Sequence, residues 1–442
     1  MNKLFFLILL LSLSSLHCSN KKTPQPTSPN ILLIISDDQS WTDYSFLGHP
    51  HIETPRIDQL ATESLTFTRG YVSAPLCRPS LASMASGLYP HQHGITGNDP
   101  SFVFSGEGKR YRSEWSQQRK PLQDQMANNF YQHPNLQKLL GEQGYLSLQT
   151  GKWWEGSYKK GSFTHGMTHG DPARGGRHGD EGLKIGREGL QTIFDFIDTA
   201  QTADQPFFIW YAPFLPHAPH TPPKELEEKY LTKAPTPAVA RYWAMCEWFD
   251  QSVGELLDHL EEKSLSEETL VVYVCDNGWI QEPDKPNRYA PRSKRSPYEM
   301  GIRTPIMYKW PGKITPKMDT TTLASSTDIV PTVLEACGFT SPEFMAGINV
   351  LDPMVLEKRS YIFSEAYEHD VQDVNNPTQS LQYRIAINHP WKLLIPDDKN
   401  MPDAEIELFN IVEDPHELHN LTKEHPDRVA EMQKVLDEWW KP

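Results

Sequence analysis

Oxygen-bearing side chains follow two continuous apolar segments of the chain. They are Asp37 and Asp38, after residues 31–35, and Asp276 and Asn277, after residues 270–274. Adjacent carboxylates repel each other unless a cation lies between them, and carboxylate and amide oxygens are the ligands that calcium and magnesium prefer. One such pair is typical of a solvated turn, but the repetition at two segment ends predicts a metal site.

Cys77 is a second candidate for chemistry. It lies in Cys-Arg-Pro-Ser between Pro75 and Pro79, and the small and apolar residues after it end at Gly87. Its thiol is either reactive or an ordinary buried cysteine. The five cysteines, at positions 18, 77, 246, 275 and 337, have no regular spacing, so the sequence predicts neither a disulfide framework nor a zinc site.

Two lysines and a histidine complete the candidate site. Lys152 lies in Thr-Gly-Lys-Trp, Lys294 precedes the apolar run 305–310, and His217 lies in a proline-rich loop after residues 206–211. Either lysine would bring positive charge to an anionic substrate, and His217 is a candidate acid or base. Each of the three, taken alone, is equally typical of a solvated surface.

Strands and helices alternate along the segments that would position these residues. Apolar runs predict buried strands over 31–35, 145–149, 206–211, 270–274 and 305–310, and helical periodicity predicts helices over 135–143, 182–199, 237–263 and 328–337. This alternation predicts an α/β fold, a large mixed and mostly parallel sheet sandwiched by helices, with the site at the carboxyl ends of the strands. Residues 100–134 lack a clear period and are predicted to form a long loop or an insertion.

We divide the chain into four segments. Residues 1–18, with Lys3 before an apolar run, are predicted to be a signal peptide, and residues 19–29 a linker. Residues 30–345 are predicted to form the catalytic α/β domain, and residues 346–442 a smaller C-terminal α+β domain with an antiparallel sheet and a last helix. Cys18 indicates a lipoprotein with membrane attachment through lipid, with plain secretion as the alternative. We therefore expect export by a bacterium, to the periplasm, the outer membrane or the medium.

The charge balance excludes one class of partner. The chain has 442 residues and a net charge of −15, without the basic block that nucleic-acid binding requires. The negative net charge does not exclude anionic substrates, because a bound divalent cation inverts the local field.

Taken in order, these motifs resemble the type I, formylglycine-dependent sulfatases of the alkaline-phosphatase superfamily, from about residue 28 to residue 425. The matching segments are the two oxygen-rich pairs, Cys-Arg-Pro-Ser with Gly-Leu-Tyr-Pro, Thr-Gly-Lys-Trp, the His217 loop, the Lys294 segment and residues 408–421 with Asp-Pro-His-Glu. The resemblance implies a sulfuric ester hydrolase in which a maturation enzyme oxidises Cys77 to formylglycine.

The resemblance also implies roles for individual residues. One calcium ion would be held by Asp37, Asp38, Cys77 as formylglycine, Asp276 and Asn277. A hydroxyl of the hydrated aldehyde would attack sulfur, Lys152 and calcium would neutralise sulfate oxygens, and His217 or Lys294 would protonate the departing oxygen. The expected substrate is a sulfated polysaccharide or oligosaccharide, such as an algal or host glycan. Arg174, Arg177 and His178, in a glycine-rich stretch, are either a recognition loop for an anionic sugar or a flexible surface loop.

Two positions depart from the family pattern. Leu81 stands where the family usually has the Arg that orients formylglycine, and Trp154 stands where it usually has a His that contacts a formylglycine hydroxyl. We expect a compensating donor among Arg78, His91, His93 and residues 174–180. Two rival functions stay open: a phosphatase or phosphonate monoester hydrolase of the same superfamily, and a non-catalytic, glycan-binding protein of this fold.

Overall fold

An eight-stranded sheet lies at the centre of the computed structural model, which describes residues 28–101, 111–171 and 178–442. The strands of the described residues are β1 (Asn30–Ser36), β2 (Leu65–Tyr71), β3 (Asp99–Pro100), β4 (Leu146–Gly151), β5 (His165–Gly166), β6 (Phe207–Ala212), β7 (Thr269–Cys275), β8 (Arg303–Lys309), β9 (Lys317–Ser325), β10 (Ile362–Tyr367), β11 (Asp370–Val371), β12 (Leu381–Asn388), β13 (Trp391–Pro396) and β14 (Glu407–Asn410). The central sheet has the order β5-β4-β6-β1-β7-β8-β2-β9. Only β8 runs antiparallel to its neighbours, so the predicted mixed, mostly parallel sheet is confirmed.

Apolar clusters cover both faces of the central sheet, and the described residues form twelve α-helices. They are α1 (Pro55–Thr62), α2 (Cys77–Ser86), α3 (Pro90–His93), α4 (Tyr111–Phe130), α5 (Leu136–Gly141), α6 (Gln191–Ala203), α7 (Lys224–Leu231), α8 (Pro237–Glu262), α9 (Glu299–Ile302), α10 (Ile329–Ala336), α11 (Pro353–Leu356) and α12 (Pro426–Trp439). None of these described helices combines the length and the apolar composition that a membrane span requires.

Strand β1 explains why the core has two halves. Alternate side chains of a strand point to opposite faces of its sheet. Ile31, Leu33 and Ile35 pack into one apolar cluster, whereas Leu32 and Ile34 pack into the cluster on the other face. A strand that is buried on both faces reads as a continuous apolar run, which is the pattern from which β1 was predicted.

A second, smaller sheet follows in the chain. Strands β10, β12, β13 and β14 pair in that order and are antiparallel throughout. Helix α12 covers one face through Met432 and Leu436, which pack against Leu393 and Leu408. The predicted antiparallel sheet with a last helix is therefore confirmed, whereas the boundary at residues 345 and 346 stays a prediction.

Three local predictions need correction. Residues 111–130 form helix α4 rather than a loop. The sequence did not predict this helix because it contains Pro121 and has a weak apolar periodicity. Met126 and Phe130, four residues apart, pack into the core. The helix predicted from residue 182 begins only at Gln191, because Gly186 and Gly189 adopt left-handed backbone conformations. Strands β2 and β9 were not predicted.

Three groups of residues named in the sequence analysis lie outside the described ranges. They are the signal peptide with Cys18, most of the linker, and Arg174 with Arg177.

Candidate active site

Four neighbouring parallel strands end at one edge of the central sheet. In spatial order they are β4, β6, β1 and β7. Lys152 follows β4, the His217 loop follows β6, Asp37 and Asp38 follow β1, and Asp276 and Asn277 follow β7. Open α/β sheets place their binding sites at this edge, and the predicted site residues meet there.

The turn after β1 has an unusual backbone. Asp38 adopts a left-handed conformation with φ of 63°, which Asp tolerates better than most residues do. The turn is held on both sides, since Asp37 N donates to Leu215 O at 3.0 Å and Gln39 N donates to Asn277 O at 3.2 Å. These bonds link the β1 turn to the loops after β6 and β7.

Gly151 brings Lys152 into the site. Its φ is +75°, and a Cβ at this position would lie 1.8 Å from the carbonyl oxygen of Ala212. Only glycine allows this close approach, and Lys152 N then donates to the same carbonyl at 2.7 Å. This close approach explains why a glycine precedes the lysine in the Thr-Gly-Lys-Trp motif.

Cys77 is the first residue of helix α2 and is 1% exposed. The turn that carries Lys294 packs against the segment before Cys77, where Arg295 N donates to Pro75 O at 2.8 Å. Arg292 and Arg295 both have left-handed backbones. Lys294 thus enters the pocket from a tight turn fixed to the Cys77 segment.

The two lysines meet at the sulfur atom of Cys77. Lys152 Nζ lies 3.2 Å and Lys294 Nζ lies 3.1 Å from Cys77 Sγ. Lys152 also contacts Asp37 at 2.8 Å, and Lys294 donates to Asp38. All of these side chains are at least nine-tenths buried, so little water screens the charges.

The acidic side of the pocket fits a divalent cation. Ligand atoms of Asp37, Asp38, Cys77 and His217 lie within 4.8 Å of one another. Three buried oxygens accept no hydrogen bond from the described residues: Asp38 Oδ2, Asp276 Oδ2 and Asn277 Oδ1. Three carboxylates face two ammonium groups, which leaves an excess negative charge. Hard oxygens in this arrangement suit calcium or magnesium.

The pKa directions agree with that charge balance. Burial, with a smaller contribution from neighbouring carboxylates, raises the pKa of Asp37 well above its ordinary value, and burial raises the pKa of Asp276. Burial alone would lower the pKa of both lysines, but Asp37 raises that of Lys152 and Asp38 raises that of Lys294. Both lysines therefore stay protonated, and a cation in the pocket would favour the ionised forms of Asp37 and Asp276.

His217 is held as a neutral imidazole. Burial, followed by the charges of Lys152 and Lys294, lowers its pKa well below the ordinary value. Its Nδ1 faces the carbonyl of Ala218, so Nδ1 carries the proton, and Nε2 lies 3.4 Å from Asp38 Oδ2. The nitrogen that faces the pocket is thus a proton acceptor.

The two departures from the family pattern lie beside a buried ion pair. Leu81 is 4% exposed and belongs to the apolar core. Arg78, next to Cys77, donates through Nε and Nη2 to the carboxylate of Glu155, next to Trp154, at 2.7 Å in each bond. This pair joins α2 to the Lys152 segment and was not predicted.

Three expected compensating donors make other contacts. Arg78 is bound to Glu155, His91 pairs with Glu365 and stacks on Trp440, and His93 Nε2 lies 2.9 Å from Ser83 Oγ. Because each of the three already contacts another residue of the fold, these contacts do not support the prediction that they replace the missing donors.

His178 is the described member of the predicted recognition loop. Its ring stacks on Trp154 at 4.9 Å and packs against Phe214 at 5.2 Å, with its centroid 6.5 Å from that of His217. The imidazole therefore lies in the wall of the pocket, beside the residue that replaces the family's histidine.

Comparison with known proteins identifies the family. The sulfatase family model matches residues 29–339, and the model for the C-terminal part of N-sulphoglucosamine sulphohydrolase matches residues 289–441. N-acetylgalactosamine-6-sulfatase of Canis lupus familiaris is 30% identical over 385 residues, which cover 78% of this chain and 69% of that protein.

Two further proteins match nearly the whole chain. The protein named Sulfatase from Formosa agariphila is 28% identical over 520 aligned residues, covering 96% of this chain and 91% of its own. The solved structure of Ps i-CgsB in complex with k-i-k-neocarrahexaose has a TM-score of 0.74 and 24% identity, covering 94% of this chain and 93% of its own, and supports the fold. The resemblance seen in the motifs is confirmed, and the chain belongs to the sulfatase family as a sulfuric ester hydrolase.

Proposed function

We propose that this sulfatase is an exported, calcium-dependent enzyme that removes sulfate from saccharides by means of formylglycine made from Cys77. One observation carries the proposal. Cys77 lies between two lysine ammonium groups at 3.1 and 3.2 Å, beside three buried oxygens that accept no hydrogen bond among the described residues. This arrangement suits a reaction at the Cys77 side chain on a substrate with a dense negative charge.

Calcium would be held by Asp37, Asp38, Asp276 and Asn277, together with the modified side chain of residue 77. When bound, it would supply a fixed double positive charge that polarises sulfate oxygens. The hydrogen bonds from Asp38 N to Asp276 Oδ1, at 3.0 Å, and from Asn277 Nδ2 to Asp38 Oδ1, at 2.7 Å, orient the ligands.

Modification of Cys77 agrees with its surroundings. Burial raises the pKa of the Cys77 thiol to about 12, so the unmodified side chain is a neutral thiol and a poor nucleophile. Formylglycine, made by a maturation enzyme, would supply an electrophilic aldehyde that provides the attacking oxygen once it is hydrated.

The two residues that handle protons take different roles. Lys294 Nζ keeps its proton, and a departing sugar oxygen is basic enough to take one from an ammonium group, so we assign the donor role to Lys294. His217 Nε2 carries no proton and is the acceptor of the pocket. Lys152, protonated and bound to Asp37, neutralises sulfate oxygens.

A sulfated saccharide is the proposed substrate. One relative is named for N-acetylgalactosamine 6-sulfate chemistry, and a structural neighbour binds a neocarrahexaose. His178 lies in the pocket wall, and Arg174 and Arg177 precede it in the chain. We assign these three residues to recognition of the sugar.

The N-terminal sequence supports export. Lys3 precedes an apolar run that ends before Cys18, the organisation of a bacterial signal peptide. We propose that the mature chain is periplasmic, secreted, or anchored to the outer membrane through lipid on Cys18.

Intact-mass analysis and turnover test this function on protein purified from its native host. The peptide that carries Cys77 is expected to be lighter by about 18 Da than the thiol form, since sulfur is replaced by oxygen with loss of two hydrogens. Sulfated oligosaccharides are expected to release sulfate, and phosphate esters of the same alcohols to react far more slowly. Faster phosphate release would favour a phosphatase. An unmodified thiol without turnover would favour a non-catalytic protein, as the departures at Leu81 and Trp154 suggest.

A further inference from the structure

One arginine donates to four different residues of the loop that carries His217. Arg187 Nε donates to Phe214 O at 2.7 Å, and Arg187 Nη2 donates to His217 O at 2.7 Å. The same guanidinium contacts Pro219 O at 3.2 and 3.3 Å and Thr221 Oγ1 at 3.2 Å. All three guanidinium nitrogens are used, and no carboxylate of the described residues forms an ion pair with them.

The loop needs donors from outside. Pro213, Pro216 and Pro219 have no N–H group, so few amides of the loop can bond to its own carbonyls. Loss of a donor to the partly buried carbonyls of Phe214 and His217 would destabilise the loop. The fork of N–H groups on one guanidinium can serve several carbonyls at once, which a lysine ammonium could not do with the same geometry.

Arg187 is itself fixed at the tip of a tight turn. Arg187 N donates to Lys184 O at 3.1 Å, and Gly186 N donates to Gly189 O at 3.1 Å. Its guanidinium lies 5.3 Å from the ring centre of Phe214. That ring stacks on the imidazole of His217 at 4.2 Å, so Arg187 reaches His217 through both the main chain and the Phe214 ring.

We propose that Arg187 is a positioning residue that sets the imidazole of His217 in the pocket. The inference rests on the proposed function, in which His217 Nε2 accepts a proton during sulfate ester hydrolysis. Without the guanidinium, the carbonyls of Phe214, His217 and Pro219 lose these donors. Asp37 N still donates to Leu215 O, but the segment from His217 onwards is freer to move Nε2 away from Asp38. Displacement by about 1 Å can lower a rate by about 100-fold.

A double-mutant cycle between Arg187→Met and His217→Ala tests this role in the mature enzyme. Arg187→Met keeps the apolar stem and removes every N–H group, and is expected to lower kcat about 10- to 100-fold with a smaller change in KM. Because Arg187 acts through His217, the double variant is expected to be within about 3-fold of His217→Ala. Effects that multiply would overturn the inference.

A matched control and a second variant separate positioning from folding. Arg241→Met removes an arginine that pairs with Glu227 at the surface, and is expected to leave kcat within about 2-fold of the wild type. Arg187→Lys keeps the charge but not the fork, so it is expected to lose most of the activity that Arg187→Met loses. Full activity of Arg187→Lys would contradict the proposed geometry.

Hydrogen–deuterium exchange distinguishes failure of this inference from failure of the proposed function. In Arg187→Met, peptides that cover residues 213–221 are expected to exchange faster than in the wild type, whether or not the protein turns over sulfate esters. Unchanged exchange in these peptides would overturn the role of Arg187. If the wild type does not hydrolyse sulfate esters but Arg187→Met still exchanges faster, only the proposed function is rejected.

Discussion

At the scale of single residues, the site depends on atoms that the fold leaves without hydrogen-bond donors. The left-handed backbone at Asp38 directs its N–H to Asp276 Oδ1, and the second oxygen of Asp276 accepts no hydrogen bond among the described residues. Buried polar atoms are nearly always paired, so three oxygens without a hydrogen-bond donor in one pocket, those of Asp38, Asp276 and Asn277, are best explained by a cation.

The substitution Asp276→Asn tests this explanation. An amide can still accept the hydrogen bond from Asp38 N, but it puts an NH2 donor where Oδ2 lies and removes one negative charge. Calcium affinity is expected to fall by about 100-fold or more, because ligand charge sets affinity at such sites, and turnover to fall with it. Calorimetric titration of metal-depleted protein with calcium measures the effect.

The control for this experiment is Asp250→Asn, a buried aspartate whose carboxylate accepts from the backbone of Arg56 and Ile57. It undergoes the same chemical change outside the site and is expected to bind calcium like the wild type. Calcium binding by Asp276→Asn at wild-type affinity would disprove the ligand assignment.

At the scale of elements, Asp250 of α8 also fixes the start of α1. Its carboxylate accepts from Ile57 N at 2.7 Å and from Arg56 N at 3.3 Å, satisfying amides in the first turn of α1 that have no partner within the helix. Burial raises the pKa of Asp250 to about 7. Between about pH 4 and pH 7, the Asp250 carboxyl therefore keeps its proton in the folded protein, whereas it has lost it in the unfolded chain.

This difference predicts a pH dependence. Between pH 4 and 7 unfolding releases the proton of Asp250, so a rise in pH favours the unfolded state, by about 1.4 kcal/mol per pH unit at most. Asp250→Asn does not titrate, so wild-type stability is expected to fall relative to this variant from pH 4 to about 7, and to stay level above that. Urea unfolding of both proteins at pH 5, 6, 7 and 8 measures the difference. A constant difference across this range would show that Asp250 is ionised in the folded state.

The burial of individual strands explains which of them could be predicted from the sequence. Strands β1, β6 and β7 are buried on both faces and read as apolar runs, so their polar C-terminal residues could be identified as a site. Strand β9 lies at the sheet edge with partly exposed threonines, and β2 contains Arg69 and Gly70, so neither gives a clear pattern. Arg187 was missed because its acceptors are main-chain carbonyls and a loop hydroxyl, which leave no signal in residue types.

At the scale of the whole molecule, buried charges join the small sheet to the central one. Lys392 of β13 lies 3.3 Å from Glu299, in the segment before β8, and 2.8 Å from Glu417, after β14. Glu417 also accepts the backbone N–H of Glu299 at 2.6 Å. All three side chains are almost inaccessible. Arg292, in the turn that carries Lys294, donates to the carbonyl oxygen of Glu417, so this network also supports that turn.

The substitution Lys392→Met tests how strongly this network stabilises the molecule. It leaves Glu299 and Glu417 buried without their shared cation, and breaking a buried pair costs about 3–5 kcal/mol. Burial already raises the pKa of Glu417, and removal of Lys392 should raise it further. The folded variant would then hold protons that the unfolded chain releases, so its loss of stability is expected to be larger at pH 8 than at pH 5.

Chemical unfolding at both pH values measures this loss, with two variants as controls. Arg384→Met removes a partly exposed contact with Asp437 inside the small sheet and its helix, and is expected to cost about 1 kcal/mol at either pH. Adding Glu417→Gln to Lys392→Met removes the Glu417 charge that has lost its cation and is expected to recover part of the loss at pH 8. Glu299 still lies 3.6 Å from Arg303. If Lys392→Met costs no more than Arg384→Met at pH 8, the two sheets are held together by apolar contacts, and the buried charges act only to fix the turn before β8.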